Sequence, residues 1–179
     1  MDTVRDRFAV ARTALSRIPH PVAIIGAAVG EERSCATGTA MYVSLDPALV
    51  AIAEHPKSHT AELIMRSGQF SVSFLWASQQ EIATAAGRHA NGNDKFAALH
   101  IATCMGPDGC SAPGVEGSQA VLWCGVRQMI LTGDHQLVIG EVIASTGAAD
   151  DAPALLRFRR RYLQSGEWRS GESPEGYPT

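Results

Sequence analysis

The pattern that most limits this fold is a set of short apolar runs, each closed by a turn signal, with helical stretches placed irregularly among them. Val22-Ala23-Ile24-Ile25-Gly26 and Leu49-Val50-Ala51-Ile52-Ala53 are continuous and of strand length, so both read as buried strands. Phe70-Ser71-Val72-Ser73-Phe74-Leu75 alternates apolar and polar side chains, the pattern of a half-buried strand. Residues 120–130 and 136–145 read as two more strands joined by Leu131-Thr132-Gly133-Asp134-His135. Helical spacing occurs over residues 4–17, 59–67 and 79–86. Pro19 and Pro21 close the first helix and Gly68 lies just past the second. Strands and helices do not alternate as a doubly wound sheet requires. The chain is therefore expected to be mainly β or α+β, built on an antiparallel barrel.

A chain of 179 residues, 45% hydrophobic and 18% charged, suits one globular domain that buries a core without staples. We take residues 1–168 as that domain and 169–179, rich in Gly, Ser, Glu and Pro, as a disordered tail. The formal net charge of -3 and the lack of a long basic stripe argue against nucleic acid. The short cluster Arg157, Arg159, Arg160 and Arg161 reads as a solvated strand edge. No apolar run approaches the ~18 residues of a membrane span. The first residues carry both signs of charge with no apolar segment behind them. A cytoplasmic protein with reduced Cys35, Cys104, Cys110 and Cys124 is the expectation. The cysteine spacing matches no recurrent zinc pair, and no metal site is expected.

Two segments carry chemistry. The first combines Thr37, Gly38, Thr39 and Ala40 with Lys57, Ser58 and Thr60, where a helix begins. Small residues let a flat ring or a phosphate approach the backbone. Hydroxyls, a lysine and free helix-start N–H groups favour an anion. The plainer alternative is that Ser58 or Thr60 is only an N-cap and the small residues only pack. The second segment is Gly133-Asp134-His135. Gly-Asp is hairpin chemistry in its own right, while a histidine at a strand end can also orient a ligand or act near neutral pH.

In order along the chain stand Val43-Ser44-Leu45-Asp46-Pro47, Lys57-Ser58-His59-Thr60 with Glu62-Leu63, Ser67-Gly68-Gln69-Phe70-Ser71-Val72, Asp94-Lys95-Phe96, and Gly133-Asp134-His135 leading to Ile139-Gly140-Glu141-Val142, with Arg161-Tyr162 at the close. Together these resemble the flavin reductase-like family of FMN-binding split barrels over about residues 8–162. His55 stands where that family commonly carries Asn, and Pro47-Ala48 where it carries two prolines.

The resemblance implies a six-stranded antiparallel Greek-key split barrel with a few short flanking helices, working as a homodimer. It implies FMN, with FAD as the other choice, bound near the dimer interface, and NADH or NADPH as electron donor. Thr37, Gly38, Thr39, Ala40 and Met41 would lie along the isoalloxazine ring. Ser58 and Thr60 would hold the phosphate, with His55, Lys57 and His59 beside them. His135 would be the catalytic residue that guides hydride transfer. The activity implied is a flavin reductase that supplies reduced flavin to a partner monooxygenase. The alternative is a tight flavin-binding electron carrier or binding module without nicotinamide turnover.

Overall fold

The computed structural model describes residues 3–88, 90, 92–107, 109–148 and 152–166. The expected tail at 169–179 lies outside these residues. The elements in chain order are α1 (Thr3–Leu15), β1 (His20–Pro21), β2 (Ala23–Val29), β3 (Glu32–Gly38), β4 (Ala40–Leu45) and β5 (Ala48–Glu54). There follow α2 (His59–Ser67), β6 (Gln69–Phe74), α3 (Gln80–Ala86), α4 (Lys95–Ala98), β7 (Thr103–Cys104) and β8 (Gly114–Val115). The long strands β9 (Ala120–Thr132) and β10 (His135–Gly147) and the short pair β11 (Leu155–Phe158) and β12 (Arg161–Gln164) complete the list.

The main sheet is antiparallel, with seven strands in the order β3-β2-β6-β9-β10-β5-β4. Its two outermost strands, β3 and β4, are consecutive in the chain and separated only by Thr39. A sheet whose first and last strands meet through one residue must curl on itself, and this is what closes the barrel. Seven strands stand where six were expected, and residues 35–45 form the end of β3 and all of β4. Small residues at Ala36, Gly38, Ala40 and Ser44 interrupt the pattern that would announce a strand there. Partner strands impose it instead: β3 pairs with β2 from Glu32↔Val29 to Gly38↔Ala23, and β4 pairs with β5.

The continuous apolar run of β2 has a direct cause. Ala23, Ile25 and Ala27 face one core with Ile52, Leu63, Ile64, Phe70 and Val138. Ile24 faces a second core with Cys35, Leu75, Ala83, Ala86, Phe96 and Leu155. A strand buried on both faces has no polar side to show. Close packing reaches the backbone at Gly26, where a Cβ would stand 2.3 Å from the Pro113 carbonyl oxygen.

Local signals set the helix that matters most. Ser58 caps α2 by accepting from the Ala61 amide at 3.0 Å, and Gly68 ends it in the left-handed region at φ 67. Leu63 and Ile64 anchor it on the barrel core. The predicted five-residue connection at 131–135 shrinks to Gly133-Asp134, because Thr132 pairs with His135. Gly133 takes φ 62, the first central position of a type II′ turn. Among its described residues, the irregular stretch 99–117 contributes only the two-residue pair β7–β8. The basic cluster sits on the β11–β12 hairpin, with Arg159 and Arg160 at its turn.

Candidate functional site

Four segments converge on one pocket of about 300 Å³. Strand β3 supplies Ser34, Cys35, Ala36 and Thr37, the start of α2 supplies Ser58, His59 and Thr60, the stretch after α3 supplies Gly87, Arg88, Ala90 and Gly92, and α4 supplies Lys95. Two of these segments are locked by a direct bond, Ser34 Oγ to Thr60 Oγ1 at 3.0 Å, both side chains buried. The described part of the glycine-rich stretch is tied back to β3. The Arg33 amide donates to the Asn93 carbonyl at 2.7 Å, and Arg33 pairs with Asp94 at 3.0 Å.

The pocket is built for an anion. Ser58 Oγ occupies the Ala61 amide. The His59 and Thr60 amides have no acceptor within the helix, as first-turn donors never do. The positive end of the α2 dipole adds to them. Lys95 is placed by Asp94, which caps α4 through the Ala97 amide at 3.0 Å. Its ammonium donates to the Cys35 carbonyl at 2.8 Å and the Ala86 carbonyl at 2.7 Å. An ammonium has three protons, so one remains for an anion in the pocket it lines. Arg88 provides a second cation, and among the described residues no carboxylate is part of the lining. The thiol of Cys35 is an inert wall, since burial pushes its pKa up to about 11.

The residues expected from sequence divide into two groups. Thr37, Ser58, His59 and Thr60 share this pocket. Thr37 spends its proton on the Ala83 carbonyl at 2.6 Å, so it shapes the wall and is no donor to a ligand. Gly38 continues the wall toward β5; a Cβ there would lie 3.7 Å from Glu54 Oε1. Thr39 is half-buried at the joint between β3 and β4. The side chain of Ala40 is buried in the barrel core, and Met41 is exposed on β4. Lys57 is exposed, and its amide donates to His55 Nδ1 at 3.2 Å. His55 and His135 meet edge to face with ring centroids 6.1 Å apart. His135 is oriented by Asp134, Nδ1 to Oδ1 at 2.8 Å. That bond also holds the Asp134 carboxyl below its ordinary pKa.

Sequence reasoning missed Glu54, the last residue of β5. Strand alternation puts it on the inward face with Val50 and Ile52, and it is only 5% exposed. His135, Ser58 and Lys95 each favour its charged form. Burial outweighs all three and raises its pKa to about 7. Glu54 therefore lies within electrostatic reach of both Lys95 and His135. Its signal was the parity of Leu49-Val50-Ala51-Ile52-Ala53-Glu54, which a polar residue at a strand end disguises. Lys95 and Arg88 were also missed as site residues, because only the tertiary fold brings them to α2.

The chain has clear relatives. The flavin reductase like domain matches residues 15–166. The NADH:riboflavin 5'-phosphate oxidoreductase of Streptomyces pristinaespiralis is 31% identical over 155 residues, covering 84% of this chain and 84% of that protein. The reductase component of 4-hydroxyphenylacetate 3-monooxygenase from Thermus thermophilus is 31% identical over 152 residues, covering 84% of this chain and 92% of that protein. Among solved structures, an NADH:FAD oxidoreductase of Streptomyces globisporus C-1027 superposes with a TM-score of 0.82 at 26% identity, covering 92% of this chain and 96% of that one.

Proposed function

This chain belongs to the flavin reductase family, and from that premise we propose that it is an NADH-dependent flavin reductase that delivers reduced flavin to a partner monooxygenase. The relatives named above are such reductases or reductase components. The observation that carries the reading is the convergence of β3 with the capped start of α2 on a cationic pocket.

The donors present fit a flavin phosphate. The His59 and Thr60 amides, the remaining proton of Lys95 and the Arg88 guanidinium offer charge-assisted bonds to it. The planar ring would extend from that corner along β3 toward Gly38. A flavin bound there supplies the hydride acceptor, and the protein supplies position and electrostatics. His135, fixed by Asp134, stands next to His55 at the hairpin tip and serves to place the nicotinamide. FMN is the flavin we favour.

A homodimer is part of the same proposal. Met41, Val43 and Leu45 on β4, with Leu131 on β9 and Ile143 on β10, expose large apolar side chains on the β9-β10-β5-β4 part of the sheet. Such a surface is expected to be covered. A cytoplasmic location is also proposed, since all four cysteines are free. Among the described residues no helix is long and apolar enough to cross a membrane.

The test is to mix purified protein with FMN and add NADH under argon. Bleaching of the flavin band with stoichiometric NADH loss is expected. NADH oxidation no faster with FMN than without it refutes the assignment, and flavin that stays bound without NADH turnover indicates an electron carrier instead.

A further inference from the structure

Two imidazoles meet at the open end of the β5–β10 ladder. The last pair of that ladder is Gln136↔Glu54, so antiparallel register makes His135 and His55 cross-strand neighbours one step beyond it. Their rings pack edge to face, with centroids 6.1 Å apart and planes at 79°. Resting on the flavin reading above, we infer that His55 is a positioning residue for NADH oxidation: it holds the His135 imidazole in place from the same turn that leads into the anion pocket.

His55 is itself fixed at both backbone and ring. Its carbonyl accepts from the Ser58 amide at 2.8 Å, closing the turn that leads into α2. Its Nδ1 accepts from the Lys57 amide at 3.2 Å. That bond ties the ring to the turn and leaves the proton of the neutral ring on Nε2. Beyond the turn, Ser58 caps α2 and Thr60 is bound to Ser34 of β3. His55 therefore stands on a stretch pinned to the barrel at both ends, by the β5 ladder before it and the Ser34–Thr60 bond after it.

His135 needs such a support. It follows the tight turn Gly133-Asp134 at the tip of a hairpin, where its ladder partner is Thr132. Its Nδ1 bonds Asp134 Oδ1 at 2.8 Å. The Asp134 side chain is 89% exposed, so water competes for that bond, and an exposed pair of this kind holds little by itself. The edge-to-face contact restrains the ring from a second direction. Asp134 fixes which ring nitrogen carries the proton, and His55 limits the swing of the ring. Both imidazoles act on the Asp134 carboxyl, which the His135 bond chiefly, and His55 to a smaller degree, hold below its ordinary pKa.

The result is a mechanical link between two parts of the site. The phosphate donors at the start of α2 and the His55 ring share one hydrogen-bonded turn. An anion that orders the start of α2 orders that turn with it. His135 is then presented with its Nδ1 committed to Asp134 and its Nε2 free, in one orientation. His55 transfers no proton and acts only through His135, so removing its ring matters only while His135 is there to be placed.

The experiment separates the ring of His55 from its tether. His55→Asn keeps a side-chain oxygen for the Lys57 amide, as Asn does for the amide two residues on in a turn, but has no ring to pack. His55→Phe keeps a ring and loses the acceptor. His55 is exposed, so both variants are expected to fold. At saturating FMN, His55→Asn is expected to lower kcat for NADH oxidation roughly three- to ten-fold, and His55→Phe to recover part of that loss. In a His135→Ala background His55→Asn is expected to have no further effect. Full activity of His55→Asn, a defect confined to FMN affinity, losses that multiply with those of His135→Ala, or a Phe variant no better than Asn overturns the positioning role and leaves the flavin reading standing. Ring NMR of the ligand-free full chain, labelled with 15N-histidine at pH 8.5, reads the same link without turnover. The His135 signal, identified by its loss in His135→Ala, is expected to show one tautomer protonated at Nδ1 in wild type and exchange between tautomers in His55→Asn. An unchanged His135 tautomer in the variant overturns the inference. NADH oxidation by wild type that is no faster with FMN overturns the flavin reading instead, and the ring NMR then decides the placement of His135 by itself.

Discussion

The buried Glu54 carboxyl makes the stability of the protein depend on pH, and the size of the effect can be worked from the structure. Replacing Glu54 with Gln keeps the shape and removes the charge. The carboxyl titrates at about 7 in the fold against an ordinary value of 4.5. Below 4.5 both the folded and unfolded chains carry the proton, so the group costs nothing. Between 4.5 and about 7 the unfolded chain releases the proton first, and stability falls as pH rises. Above about 7 both states are ionised and the full cost is in place. At 1.36 kcal/mol per factor of ten, the gap amounts to ~3 kcal/mol. Gln at this position escapes the charge penalty. Urea denaturation at pH 5 and pH 8 measures the effect. Wild type is expected to lose ~2–3 kcal/mol relative to Glu54→Gln between those two conditions. Parallel behaviour of the two proteins would mean that the carboxyl is solvated or already neutralised by His135 and Lys95, and the burial argument would be wrong.

Three further outcomes are expected. Ser58→Ala removes the cap of α2 and a hydroxyl that lines the pocket; it is expected to cost ~1 kcal/mol of stability in denaturant melts, and to weaken FMN by ~1–3 kcal/mol in fluorescence titrations. His135→Ala is expected to slow NADH oxidation roughly ten- to hundred-fold through misplacement of the donor, with FMN affinity nearly unchanged; a collapse of flavin binding would make it a structural residue. Gly26→Ala places a methyl 2.3 Å from the Pro113 carbonyl oxygen and 2.5 Å from Ser71 Oγ, across the 2.6 Å bond that joins them. A loss of ~1–3 kcal/mol or more in chemical unfolding is expected, and wild-type stability would show that the Pro113 loop is free to move away.

Much of the architecture was legible because its signals are local. Helix α2 follows from Ser58 before it, Leu63 and Ile64 within it and Gly68 after it. The hairpin tip follows from Gly133-Asp134. The buried runs of β2 and β5 follow from their composition. Where the determinant is another strand, sequence reading falls short. The stretch through Thr37, Gly38 and Thr39 is extended because β2 and β5 hold what flanks it, not because those residues prefer it. The same limit applies to the site. Ser58 and Thr60 are marked by their place at a helix start. Lys95 and Arg88 come from segments far along the chain, and only the folded barrel gives them a common ligand. Glu54 was hidden by expectation, since a charged residue closing a strand normally faces water.

The joint at Thr39 makes the two margins of the sheet neighbours in sequence, so opening the barrel means parting strands that a single residue ties together. The pocket lies on the β3 side of that junction, joining Thr37 to the α2 start, which follows β5 in the chain. A ligand that grips both sides fastens the seam. Amide hydrogen exchange along β3 and β4 should therefore slow on flavin binding more than exchange in the β9–β10 hairpin, and release of the flavin loosens the same seam.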